Sequence, residues 1–126
     1  MGKKAEILIQ AKEATKDKNR MSNILDRARA KLDQLTGDSK EFNEFISRIK
    51  LLLKMITKHL NGEYSSFSAK TILLITFAIL YFVIPTDVLP DFIPILGFTD
   101  DISILYFIWR QVEADIDKFV DWEKTS

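Results

Sequence analysis

The chain has 126 residues, of which 47% are hydrophobic and 29% charged, a size and balance that suit one folded domain with a substantial core. It contains no cysteine, which excludes disulfides, thiolate metal sites and a cysteine nucleophile. The formal net charge is zero, but residues 1–70 hold 15 Lys and Arg against 9 Asp and Glu, whereas residues 71–126 hold 3 against 9.

Two helices are predicted in the N-terminal half. The first covers residues 5–35, either continuous or broken near residues 19–22, and its apolar spacing becomes clear in its second half. The second begins after residues 38–41, which resemble a capping box, and repeats apolar residues at three- and four-residue steps as far as Leu60. It is therefore amphipathic and buries one stripe. Its polar side includes Lys50, Lys54 and Lys58, which we expect to meet anionic headgroups in a membrane setting or a protein partner in a soluble one.

The third predicted helix, residues 71–84, carries no charge and is apolar on every face, so it must be surrounded. Either the other helices or lipid could surround it. Its 14 residues extend about 21 Å, which is short of the roughly 30 Å of a hydrocarbon core and favours a protein interior. However, Lys70 and Arg110 lie at the same end of a hairpin with the next helix, as the positive-inside rule prefers for a membrane hairpin. The two environments carry about equal weight.

A proline-rich apolar turn, residues 84–101, joins the third helix to the fourth. It holds all three prolines of the chain, which predict a defined non-helical path, and its apolar residues are typical of a packed interior. Thr99 is the predicted N-cap of the fourth helix, which runs to about Trp122. The predicted fold is therefore all-α, with about four helices, the last two forming a hairpin around this turn.

Four aspartates in this segment are the candidates for site chemistry. Converging carboxylates can bind Mg²⁺ or Ca²⁺, and Asp87 and Asp91 are the weak candidates for such a site. The spacing does not match an EF-hand loop, and aspartates in turns commonly accept backbone N–H groups. Asp100 and Asp101 are explained as charges in the first turn of the fourth helix. We therefore favour structural roles for all four and predict no metal.

No motif supports an enzyme. His59 is the sole histidine, and the chain has no Gly-rich phosphate loop, no Gly-x-Ser-x-Gly sequence and no histidine base near a nucleophile. The basic residues of the N-terminal half are interleaved with acids, whereas a nucleic-acid footprint is typically a clean basic stripe with aromatic residues. We expect no cofactor, no small-molecule substrate and no nucleic-acid partner.

The run from Tyr81 to Asp101 reads Tyr-Phe-x-Ile-Pro-x-Asp-x-Leu-Pro-Asp-Phe-Ile-Pro-x-x-Gly-x-x-Asp-Asp. It resembles the signature of the YkvA-like domains of unknown function, which are small, mostly bacterial helical domains. The resemblance covers about residues 70–107 and implies a helix, proline turn and helix in a membrane setting, but no reaction. The motif residues, also the candidate binding residues, are Pro85, Asp87, Pro90, Asp91, Pro94, Gly97, Asp100 and Asp101.

These observations predict a single domain over residues 1–126, with basic amphipathic helices in residues 1–65 and a YkvA-like helical hairpin in residues 66–122. We expect a non-enzymatic, membrane-associated interaction module on the cytoplasmic side, whose partner is membrane lipid or a membrane protein. The uneven charge is also compatible with a homo-oligomer. The alternative is a soluble cytoplasmic bundle that binds a protein partner through its basic N-terminal half.

Overall fold

The structure, a computed structural model, describes residues 2–88 and 94–125, with the side chains of residues 5–83 and 103–125. The prediction of an all-α fold is confirmed, because this part of the chain contains five helices and no strand. In chain order the helices are α1 (Gly2–Ala14), α2 (Lys18–Gln34), α3 (Lys40–Leu60), α4 (Ala69–Val88) and α5 (Pro94–Thr125).

The first predicted helix is two helices, and the break lies at residues 15–17, before the predicted position. Asp17 causes it: its Oδ1 accepts hydrogen bonds from the backbone N–H of Asn19 at 2.9 Å and of Arg20 at 3.3 Å, which caps α2. The two helices form a hairpin, and α1 buries Ile7, Ala11 and Ala14.

The structure agrees with the predicted start and end of α3. The backbone N–H of Phe42 donates to Ser39 Oγ at 3.0 Å, and Gly62 follows the helix with a φ of +78°, a left-handed conformation that glycine adopts without strain. The predicted stripe is the buried one, since Phe45, Ile49, Leu52, Leu53, Met55 and Ile56 all face the core.

The central element is α4, which packs against α1, α2, α3 and α5. Ile75, Ile79, Leu80 and Phe82 are at most 1% exposed. Thr76 is also fully buried, and its hydroxyl donates to the carbonyl of Ile72 at 2.7 Å, so its polar group is satisfied within the helix. Protein therefore surrounds most of the apolar helix, as in the first of the two environments considered for it.

The directions of the helices follow from a few contacts with α4. Met21 and Lys31 of α2 meet Thr76 and Phe82 in that order, so α2 runs parallel to α4. The ring of Phe45, near the start of α3, lies 5.7 Å from that of Phe82, near the end of α4. At its start, α4 is held to α5, because Thr71 Oγ1 donates a hydrogen bond to Asp115 of α5. The backbone N–H of Thr71 in turn donates to Ser68 Oγ.

The four outer helices surround α4 in the order α1, α2, α3, α5. Packing joins α1 to α2 and α2 to α3. Side chains join α3 to α5: the Arg48 guanidinium lies 4.7 Å from the ring centroid of Tyr106 and 5.2 Å from that of Trp109, and Lys54 pairs with Glu123 at 3.1 Å. In the described residues α1 and α5 make no comparable contact, so the ring is open between them.

The loop between α3 and α4 is held against the end of α5 by aromatic residues. The ring of Tyr64 lies 4.6 Å from that of Phe67, 5.2 Å from that of Phe119 and 5.1 Å from that of Trp122. In the same loop a hydrogen bond from Lys58 holds the pKa of Glu63 below its ordinary value, with a further contribution from Asn61. This exposed pair favours the folded loop above the ordinary pKa of a glutamate, and its contribution is lost as the pH falls.

Both helices flanking the proline turn are longer than predicted. Residues 85–88 continue α4, and α5 begins at Pro94, where the missing N–H of proline would have no partner within the helix. The prediction of a non-helical path within residues 84–101 is therefore wrong at both ends. Thr99 is not an N-cap, and Asp100 and Asp101 lie beyond the first turn of α5, where the helix dipole acts weakly. Residues 89–93 lie outside the described part.

Two leucines of α4 test its central position. Leu80 is 1% exposed, whereas Leu74 is half-buried. Leu80→Ala should lower the free energy of unfolding by about 2–5 kcal/mol, because it leaves a cavity in the core. Leu74→Ala should lower it by less than about 1.5 kcal/mol, because less apolar area is lost. Urea denaturation of both variants measures the difference. Equal losses would contradict the arrangement of helices around α4.

Candidate functional site

The eight motif residues predicted from the sequence divide between the two helices and the turn. Pro85 and Asp87 are in the last turns of α4, Pro94 begins α5, and Gly97, Asp100 and Asp101 follow in α5. Pro90 and Asp91, like the side chains of all eight, lie outside the described residues. The prediction that Asp87 and Asp91 have structural roles and hold no metal therefore stays a prediction. Elsewhere, in the part of the chain that is described, no group of acids and histidines is arranged to hold a metal.

Lys31 of α2, which is only 8% exposed, contacts α4 near the end that leads into this turn. Its Nζ donates to the backbone carbonyl of Phe82 and lies 4.0 Å from the centroid of that residue's ring. A buried ammonium is costly unless it is hydrogen-bonded, and the carbonyls near a helix C-terminus carry partial negative charge. Three residues further on, Pro85 lacks the N–H that would bond the carbonyl of Tyr81. Lys31 therefore joins α2 to α4 where the backbone bonding of α4 is interrupted.

Sequence reasoning missed Lys31 because lysine is rarely buried. A signal was nevertheless present in its position. Lys31 follows Ile24 by seven residues and Ala28 by three, which places it on the apolar stripe that α2 buries. A lysine on such a stripe either extends its ammonium to solvent or finds an acceptor inside the protein. Only the approach of α4 decided between these two outcomes.

A second feature is an apolar surface where the ring of helices is open. Leu73, Leu74 and Phe77 are partly exposed and lie on one face of α4 together with the exposed Lys70. Of the two helices that border the opening, α1 exposes Leu8, and α5 exposes Phe107, which is 62% exposed. We call these five apolar residues the open face: Leu8, Leu73, Leu74, Phe77 and Phe107.

The position of Phe107 follows from its neighbours on α5. Tyr106 and Trp109 lie on the side of α5 that contacts Arg48 of α3. Phe107 belongs to a different stripe, which continues through exposed residues at 111, 114 and 118. This stripe lies away from α3 and therefore toward the opening. Tyr106, which is 52% exposed, is thus an exposed aromatic residue on the other side of the same helix.

The basic side of α3 is largely engaged within the chain. Lys54 pairs with Glu123 at 3.1 Å, and Lys58 pairs with Glu63 at 3.2 Å. Lys50 instead borders a shallow groove of about 450 Å³ between α2 and α3, together with Arg29, Leu32, Asp33, Leu53, Lys54 and Thr57. Two of the three lysines predicted to meet a partner or headgroups therefore already have acidic neighbours.

The contact of Lys31 can be tested with a side chain of similar shape that has neither a charge nor a hydrogen-bond donor. Lys31→Met keeps the apolar stem but removes the hydrogen bond and the ammonium above Phe82. We expect the free energy of unfolding to fall by about 1–2 kcal/mol in urea denaturation. Lys50→Met, at an exposed position, should change it by less than about 0.5 kcal/mol. A Lys31→Met variant as stable as the parent would show that the contact contributes nothing.

Among the described residues, no helix is both long enough and apolar enough to cross a bilayer.

Comparison with known proteins identifies the α4–α5 unit. A family described as "Protein of unknown function (DUF1232)" matches residues 71–107. The "Uncharacterized membrane protein YkvA" of Bacillus subtilis (strain 168) is 37% identical over 83 residues, which cover 66% of this chain and 78% of the relative. No solved structure matches. An alignment of 83 residues is longer than residues 71–126, so the similarity also reaches into the N-terminal half. The chain therefore belongs to the DUF1232 family of YkvA-like proteins, as the motif around the proline turn predicts.

Proposed function

We propose that this protein is a non-enzymatic module that associates with a membrane surface through its open face. The observation that carries the proposal is the incomplete ring of helices: four helices surround α4, yet the strip between α1 and α5 is left uncovered and is apolar. Apolar surface of this kind, edged by polar residues, marks sites of interaction with proteins or membranes.

The geometry suits attachment along the side of the bundle. Leu73, Leu74 and Phe77 follow the axis of α4, and Phe107 and Leu8 project from the helices at its two borders. Interfacial helices bury their apolar faces about 5–10 Å into the boundary between headgroups and acyl chains. The exposed residues at the borders would enter the bilayer first, and the partly buried strip of α4 would follow.

Two further arguments support a membrane setting. The relative from Bacillus subtilis is named as a membrane protein, and its similarity covers most of its own length. We further propose the cytoplasmic side, since the cytoplasmic leaflet carries anionic lipid that attracts basic segments, and residues 1–70 hold the excess of Lys and Arg. The absence of cysteine agrees with a reducing compartment.

Co-flotation with lipid vesicles tests the proposal. The parent protein should float with vesicles that mix phosphatidylcholine and phosphatidylglycerol. The double variant Leu8→Ser, Phe107→Ser removes two exposed apolar side chains and should weaken binding at least about tenfold, because each loses about 1 kcal/mol or more of burial in the interface. Both positions are exposed, so the fold should be unaffected, which circular dichroism would verify.

Tyr106→Ser is the matched control, because Tyr106 is a similarly exposed aromatic residue that faces Arg48 rather than the opening. It should change vesicle binding by less than about twofold. The proposal is wrong if the parent protein stays at the bottom of the gradient with every vesicle, or if Tyr106→Ser weakens binding as much as the double variant does.

A further inference from the structure

Four exposed lysines lie at one end of the bundle, the end opposite the proline turn. Lys12 is near the end of α1, Lys16 is in the turn between α1 and α2, Lys18 begins α2, and Lys70 is at the start of α4. Because α2 runs parallel to α4, with Met21 near Thr76, the turn between α1 and α2 lies beside the start of α4. We call these four residues the basic end.

The lysines of the basic end differ from Arg20, Arg29, Lys54 and Lys58, each of which forms an ion pair. None of the four lysines at the basic end makes an ion pair within the described part of the chain. The acids near them are engaged by other groups: Glu13 pairs with Arg20 at 2.8 Å, and Asp17 caps α2. At the start of α4, Asp115 accepts a hydrogen bond from Thr71. Their positive charge is therefore not neutralised locally.

The basic end adjoins the open face. Lys70 lies on the same face of α4 as Leu73, Leu74 and Phe77, one turn before them. Lys12 follows Leu8 by four residues on α1, so it lies one turn further along the same side of that helix. An apolar surface that continues into unneutralised lysines is the pattern of a protein that binds anionic lipid, with acyl chains meeting one part and phosphates the other.

We infer that the basic end recognises the phosphate groups of anionic lipids when the open face enters the bilayer. The inference rests on the proposed function and adds to it the class of lipid. It also moves the expected headgroup contact from Lys50, Lys54 and Lys58 of α3 to the basic end, because α3 lies across α4 from the opening and two of its lysines are paired.

The test compares vesicles of phosphatidylcholine alone with vesicles that contain one third phosphatidylglycerol. The parent protein should bind the anionic vesicles at least about tenfold more tightly, and raising the salt from about 0.1 M to about 1 M should remove most of the difference. Lys12→Gln, Lys16→Gln removes two lysines of the basic end. Because each lysine contributes about fivefold to the affinity, this double variant should bind the anionic vesicles about 25-fold more weakly.

Lys40→Gln, Lys50→Gln is the matched control. It removes the same charge from exposed lysines of α3 and should change binding by less than about threefold. Equal loss in the two double variants would overturn the inference, since it would show a response to net charge alone. Equal binding to neutral and anionic vesicles, reduced by Leu8→Ser, Phe107→Ser, would overturn the inference and leave the proposed function standing. Absence of binding to either vesicle would overturn both.

Discussion

The burial of α4 is the constraint on which the rest of the structure depends. An uncharged helix that is apolar on all faces is stable only where other apolar groups cover it, and in this protein four helices supply most of that cover. The stripes of α2, α3 and α5 are each turned toward it, and even its buried Thr76 bonds to its own helix. Each outer helix is thus fixed by what it contributes to covering α4.

The same constraint explains why the molecule exposes an apolar strip on one side. Four helices around one leave a strip uncovered, and the residues in that strip are Leu73, Leu74 and Phe77 instead of polar residues. A helix with no polar face has no residue suited to solvent, so an incomplete ring necessarily exposes apolar surface. The apolar composition of α4 therefore explains both why other helices must cover it and why the uncovered strip is suited to contact lipid.

The family motif and the N-terminal half are physically joined. Lys31, in α2, bonds to the carbonyl of Phe82, which lies within the region that matches the family. The contact provides a hydrogen-bond acceptor for a buried ammonium and a cation beside the C-terminal end of α4. Binding of a protein partner through the basic N-terminal half stays a prediction.

Sequence by itself determined the helical class, the amphipathic stripe and caps of α3, the apolar character of α4 and the family, because periodicity, caps and motif spacing are local properties. It misjudged the break at Asp17 and the ends of the helices around the prolines, where several local choices lie close in energy. Only tertiary structure decided that Lys31 is buried, that lysines of α3 are paired, and that the ring opens between α1 and α5. Those outcomes depend on which helices meet, and contacts between residues as distant as Lys31 and Phe82 leave no pattern in the local sequence.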